Sequence, residues 1–292
     1  MTSEFKYNFC GIPEIPLKKA KFIILPIPYE STVSFQVGTK FGPESILFSS
    51  RQMELYDEEL EKETYKVGIK TVGEIIPKHS STLEMVKEIE NVVFSFLKKD
   101  KIVIGLGGEH TISIGIFNAL QKKNPEIKVL HLDAHGDLRD EYEGTKYSHA
   151  CVIRRMLEKK CNIYSIGIRS ISGEEANFLK REKAGIKINF GYKMKKNWFE
   201  EIPNTLPSGK YFITIDVDFF DPSIVPDTGT PEPGGFFWYE TIKFFKNFLF
   251  RKDIEVFGFD VVELAPKNFF SPSCFLISKL IYKLIGYISY KR

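Results

Sequence analysis

Val129-Leu-His-Leu-Asp-Ala-His-Gly-Asp137 begins as a strand and ends as a cluster of polar side chains. Val129, Leu130 and Leu132 are apolar and lead directly into the acids, which reads as a buried strand with polar groups at its exit. Asp133, His135 and Asp137 are spaced by two, so an extended chain turns all three side chains to one face. Two carboxylates and an imidazole at the end of a buried strand are electrostatically costly unless cations neutralise them.

Similar short apolar runs recur on both sides of this one, at Phe22–Pro26, Ile102–Leu106, Ile163–Ile168, Tyr211–Val217 and Glu255–Val262. Segments of helical period lie between them: Leu83–Leu97, Ile112–Leu120, His149–Leu157 and Tyr239–Phe250. Ser80 or Ser81 can cap the first of these, and Lys98 and Lys99 suit its C-terminus. Strands alternating with helices imply an α/β fold, a mainly parallel sheet covered on both faces in three α/β/α layers. No repeat, low-complexity tract or linker divides the 292 residues, so residues 1–292 are expected to form a single domain. In such sheets ligands bind beyond the carboxyl ends of the strands.

Two further strand ends carry the same kind of chemistry. Tyr211-Phe-Ile-Thr-Ile-Asp-Val-Asp218 places Asp216 and Asp218 two apart after an apolar run, and Val103-Ile-Gly-Leu-Gly-Gly-Glu-His110 adds an imidazole. His110, Asp133, His135, Asp137, Asp216 and Asp218 make a candidate metal-ligating set of four carboxylates and two imidazoles. With no cysteine in it, that set favours Mn²⁺ or a similar first-row divalent ion over structural zinc. Six ligands suit two ions, which sit about 3.5–4 Å apart in such sites and share an acidified water. Other motifs fail. In Gly105-Leu-Gly-Gly-Glu-His110 a histidine occupies the place of the third glycine of a dinucleotide fingerprint, and no phosphate-loop or Gly-x-Ser-x-Gly pattern occurs. The two prolines of Gly229-Thr-Pro-Glu-Pro-Gly-Gly235 remove backbone donors, so this is a stiff substrate-orienting loop and not a phosphate cradle.

Composition narrows the partners. The chain has 41 Lys+Arg against 38 Asp+Glu, a formal net charge of +3, which gives no broad basic field and no reason to expect nucleic acid. Its four cysteines are dispersed and form no C-x-x-C pair, as in free thiols of a reducing cytoplasm. Phe275–Tyr290 is the most apolar long stretch, but Lys279 and Lys283 interrupt it and it is shorter than the roughly 20 residues of a membrane span. A buried or interface-forming terminal helix is expected there, with no membrane partner. Lysine is abundant, arginine scarce and glutamine nearly absent, a bias of the thermophilic kind.

Four motifs in order, Gly107-Gly-Glu-His110, Asp133-Ala-His-Gly-Asp137, Ile215–Pro222 with Thr228–Gly235, and Gly258–Pro266, resemble those of the arginase/agmatinase family of ureohydrolases. The resemblance implies two Mn²⁺ ions per subunit, bridged by Asp133 and Asp216. His110 and Asp137 would complete one coordination sphere, and His135 and Asp218 the other. It further implies that Glu263 accepts hydrogen bonds from a guanidinium, that Asp137 passes a proton to the departing amine, and that His149 shuttles protons and meets the substrate. Thr230 and Asp221 would orient the substrate or the groups behind it. Glu109 stands where many members carry Asp. A small-molecule guanidino substrate is implied, and a homo-oligomer, trimer or hexamer. Serine at 172, where an arginase has an acid, argues against arginine as substrate. The Leu138–Gly144 run looks like that of agmatinases from thermophilic prokaryotes, so agmatine, giving putrescine and urea, is the expected substrate. N1-aminopropylagmatine is the alternative, and the Asp140, Glu141 and Glu143 cluster is the expected receiver of a terminal ammonium. A single-metal amide deacetylase and a non-catalytic homologue are competing readings from other classes.

Overall fold

In the computed structural model, residues 7–181 and 185–291 are described. Eight parallel strands form one sheet: β1 (Phe22–Ile27), β4 (Ile69–Thr71), β5 (Ile102–Gly107), β6 (Lys128–Leu132), β7 (Ile163–Ile168), β8 (Ile186–Phe190), β9 (Gly209–Asp216) and β10 (Ile254–Val262). Their order is β4-β1-β5-β10-β9-β6-β7-β8, so the last strand of the chain is inserted at the centre. The short strands β2 (Tyr56–Asp57) and β3 (Lys62–Glu63) pair separately as a hairpin.

Helices cover both faces. Strand residues alternate between them, Leu130, Leu132, Ile213 and Ile215 facing one apolar core and Val129 and Phe212 the other. The first core packs under α1 (Gly42–Ser50), α6 (Trp198–Thr205), α7 (Trp238–Leu249) and α8 (Pro272–Ser289). The second lies under α2 (Thr82–Leu97), α3 (Ile112–Lys123) and α4 (Val152–Leu157), while α5 (Gly173–Arg181) contributes Phe178 and Leu179. This is the three-layer α/β/α architecture read from the alternation of runs.

The elements follow their local chemistry. Ser81 caps α2 by accepting from the Glu84 amide at 3.3 Å, which selects between the two serines. The segment read as one helix from His149 starts as a single 3₁₀ turn, His149–Cys151, before α4 begins. Ser148 caps that turn by accepting from Ala150 N. The terminal helix α8 is buried along most of its length, and its buried lysine is accommodated because Lys283 Nζ lies 2.9 Å from Asp57 and 3.3 Å from Glu59 at the β2–β3 hairpin. No helix among the described residues is long and apolar enough to cross a membrane. All four cysteines are free and buried.

Four adjacent central strands, β5, β10, β9 and β6, end together, and those ends carry every polar motif noted above. One close approach makes this possible. A Cβ on Gly108 would lie 2.0 Å from the Tyr29 carbonyl oxygen, so only glycine lets β5 run on beside the end of β1 and donate Glu109 N to Tyr29 O.

Candidate metal and substrate site

Beyond those four strand ends lies a cavity of about 260 Å³, walled by His110, His135, Asp137, Asp216, Asp218 and Glu263. His149 and Thr230 line it too, so of the residues given a metal, catalytic or substrate role from the sequence, all but Asp133, Asp221 and the acidic cluster at 140–143 reach this wall. Asp133 lies fully buried beneath it. Potential ligand atoms fall into two tight groups, one with His110, His131, Asp133 and Asp137, the other with Asp133, His135 and Asp218. Asp133 belongs to both. Asp216 stands beside the first, its Oδ2 3.6 Å from His110 Nδ1.

His110 is oriented from behind: its Nε2 is 2.9 Å from Thr214 Oγ1, while its backbone amide donates to Glu263 Oε1 at 2.6 Å. Its Nδ1 is buried without a hydrogen bond and faces Asp137 at 3.0 Å and Asp133 at 3.3 Å. His135 Nδ1 lies 2.7 Å from Asp218 Oδ2. The acids are themselves held by backbone donors. Asp218 accepts from Ala134 N at 2.9 Å, Asp216 from Asp218 N at 2.9 Å, and Asp133 from His135 N. Asp137 and Glu263 have positive φ, 51° and 65°, a left-handed backbone that costs a non-glycine residue on the order of 1–3 kcal/mol where the surroundings impose it.

Crowding of buried charge shifts these groups in opposite directions. Burial works to lower the His135 imidazole, but Asp218, with Asp133 and Asp137 beyond it, outweighs burial and holds it at about 10. His110 is likewise raised against its burial by Asp133 and Asp137. Burial and the neighbouring carboxylates raise Asp216, and burial and Asp133 raise Asp218. Asp133 is held low against its burial by His131 and His110. Glu263 is pushed up to about 8 by burial, only partly offset by the His110 amide.

The structure departs from the sequence reading at the acidic cluster. Asp140 does not face the cavity: it pairs with Arg155 at 2.7 Å and Lys146 at 3.5 Å, and Glu141 and Glu143 do not line the wall either. Glu175 lines it instead, with its oxygens accepting from Leu138 N at 2.8 Å and Ser172 N at 2.7 Å. Asp221 accepts from Ser223 and Gly235 N, which anchors the proline loop whose Gly229 and Thr230 reach the cavity. Reading by strand ends also missed His131, whose Nε2 is 2.8 Å from Asp133 Oδ2 and whose Nδ1 is 3.0 Å from Ser165 Oγ. An imidazole inside the apolar run Val129–Leu132 was the available signal.

Comparison with known proteins bears directly on this geometry. Residues 20–286 match the Arginase family. The chain belongs to that family. Among arginase-family relatives, the N(1)-aminopropylagmatine ureohydrolase of Synechocystis sp. is 41% identical over 276 residues, covering 92% of this chain and 89% of that protein. The agmatinase of Halalkalibacterium halodurans is 35% identical and covers 85% of each chain. The crystal structure of the agmatine ureohydrolase of Thermoplasma volcanium superposes with a TM-score of 0.87 at 29% identity, over 98% of this chain and 95% of that one. The arginase of Medicago truncatula shares the arginase fold at a TM-score of 0.77 and 25% identity, over 92% and 88%. The protein is thus an arginase-family ureohydrolase, a hydrolase of guanidino compounds.

Proposed function

We propose that this protein is a dinuclear manganese hydrolase that releases urea from the guanidine of a polyamine precursor. Agmatine is the primary reading, and N1-aminopropylagmatine is the second, favoured by the 41% identical relative. The observation that carries the proposal is Asp133, common to two carboxylate–imidazole groups at the floor of one cavity. The donor set fits divalent ions. A buried imidazole nitrogen without a hydrogen bond converges on carboxylate oxygens, and no sulfur is present among the ligands. His110, Asp133, Asp137 and Asp216 would hold one ion, and Asp133, His135, Asp216 and Asp218 the other.

Two such ions would supply Lewis acidity and a water acidic enough to attack a resonance-stabilised guanidinium carbon at neutral pH. The chain's own groups do the rest. Glu263 spends Oε1 on the His110 amide and keeps Oε2 for the guanidinium N–H groups, fixing the plane of the substrate. An arriving cation would draw its raised carboxyl back to the charged form. Asp137 takes a proton and delivers it to the departing amine nitrogen, and His149 on the cavity wall exchanges protons with solvent. Urea and an alkylamine are the products.

Metal binding should be coupled to proton release. Without metal the His135 imidazole keeps its proton up to about pH 10, and a metal ion needs the neutral ring, so affinity falls as pH is lowered. Calorimetric titration with Mn²⁺ near pH 7 in two buffers of different ionisation enthalpy should give different heats. Identical heats would contradict the assignment of His135.

Substrate choice is tested by urea release from agmatine, N1-aminopropylagmatine and arginine in parallel. An α-carboxylate taken into the cavity without a partner should reduce kcat/KM for arginine by on the order of 10²-fold or more. Arg139, which also lines the wall, is the observation that favours a guanidino acid, and it gives the arginine arm its force. Equal or faster release from arginine would overturn the polyamine reading.

A further inference from the structure

Glu109 is completely buried next to His110, yet it belongs to neither group of potential ligands. Its Oε2 accepts from the backbone amides of Ser31 and Thr32, the latter at 2.7 Å. Its Oε1 accepts from the hydroxyls of Thr32 at 2.8 Å and Thr111 at 2.7 Å. Four donors converge on one side chain, which only an acceptor-only carboxylate satisfies. Thr32 Oγ1 in turn lies 3.1 Å from His149 Nδ1 and accepts the His149 backbone amide at 3.2 Å.

Proton counting decides the direction of this chain of contacts. The Thr32 hydroxyl has one hydrogen and two candidate acceptors, the Glu109 carboxylate and the His149 ring. A hydrogen bond to an ionised acceptor is roughly twice as strong as one between neutral groups, so the hydrogen goes to Glu109. Thr32 Oγ1 is then an acceptor towards His149, and Nδ1 must bear the ring hydrogen. Ser148 Oγ, 3.4 Å from the same nitrogen against 3.1 Å for Thr32 Oγ1, is the more distant hydroxyl.

We propose that Glu109 and Thr32 are positioning residues that fix the His149 imidazole as its Nδ1–H tautomer, leaving Nε2 as the atom that exchanges protons in the cavity. The relay also ties down the segment whose Val33, Ser34, Phe35 and Gln36 wall the cavity, so substrate rim and proton carrier share one anchor. It joins three segments distant in sequence, 77 residues from Thr32 to Glu109 and 117 from Thr32 to His149. The inference rests on His149 as proton carrier, and the test separates the two.

The direct readout is the ¹⁵N spectrum of the five histidines in the zinc-loaded, diamagnetic protein, with His149 assigned by its loss in His149→Ala. The wild type should show a pyrrole-type shift at Nδ1 of His149 and a pyridine-type shift at Nε2. Glu109→Gln turns an acceptor into an amide donor opposite the Thr32 hydroxyl, so the hydroxyl should donate to His149 and move the ring hydrogen to Nε2. Thr32→Val, which keeps the Thr32 amide on Glu109 and removes only the hydroxyl, should weaken the Nδ1–H preference. In the Mn²⁺-loaded protein it should lower kcat roughly 10- to 100-fold, the range for losing the partner that orients a functional histidine, with KM little changed. Thr32→Ser should restore both. A wild-type ring with its hydrogen on Nε2, or a Glu109→Gln ring still protonated on Nδ1, overturns the proposal. If His149→Ala lowers kcat while Glu109→Gln and Thr32→Val do not, the inference fails and the role of His149 stands. If His149→Ala leaves kcat unchanged, both fail.

Discussion

Replacing Asp133 by alanine should strip the protein of both bound metal ions and abolish urea release. Asp133 is the residue shared by the two ligand groups, and it lies fully buried at the end of β6. The variant leaves His110 and His135 without their common partner, and neither group keeps enough donors to compete with water for a divalent ion. Since residues of one catalytic unit are not additive, turnover should fall by on the order of 10⁴-fold or more. Elemental analysis after dialysis, read beside a urea assay and a circular dichroism spectrum, checks this. The control is Asp218→Ala, in which only the His135 group is broken, and about one ion per chain should remain. An Asp133→Ala protein that keeps its metal or its activity would refute the shared-ligand arrangement.

The second large effect is expected from Glu263→Gln. Glu263 is buried at the end of the central strand β10, in a left-handed backbone conformation, with one oxygen on the His110 amide and the cavity before it. A glutamine carbonyl can keep the His110 contact, so the strand end that carries His110 stays in place. The lost charge leaves a guanidinium unpaired against a buried wall, which costs about 3–5 kcal/mol, or roughly 10²- to 10⁴-fold in kcat/KM. Steady-state kinetics and metal content together test this. Metal loss would mean that Glu263 serves the ions and not the substrate.

Much of this was legible in the chain because the code is local. Apolar runs ending in Asp-x-His-x-Asp and Asp-x-Asp mark a strand and its exit within nine residues, and β6 and β9 end where those motifs begin. Pairings between distant segments were not legible. The acidic loop at 140–143 read as a receiver for an ammonium, but Arg155, on the first turns of a helix fifteen residues on, claims Asp140. Glu109 read as a neighbour of a ligand, because its partners Ser31 and Thr32 belong to a loop after β1 that no periodicity links to β5. Edge elements were also silent. The strand β8 lies at the sheet margin with alternating Ile186, Lys187, Ile188 and Asn189, and α6 carries Pro203 inside it. His131 and Thr214 are polar residues on the inward face of buried strands, and their purpose, orienting Asp133 and His110, appears only once the strand ends are side by side.

The most direct test of the central claim is urea release followed as a function of manganese ions bound per chain in a metal-stripped sample. The shared role of Asp133 predicts that full activity appears as occupancy reaches two ions per chain and that a single ion supports little turnover. Full activity at one ion per chain, or urea release in the stripped protein, would contradict the dinuclear account.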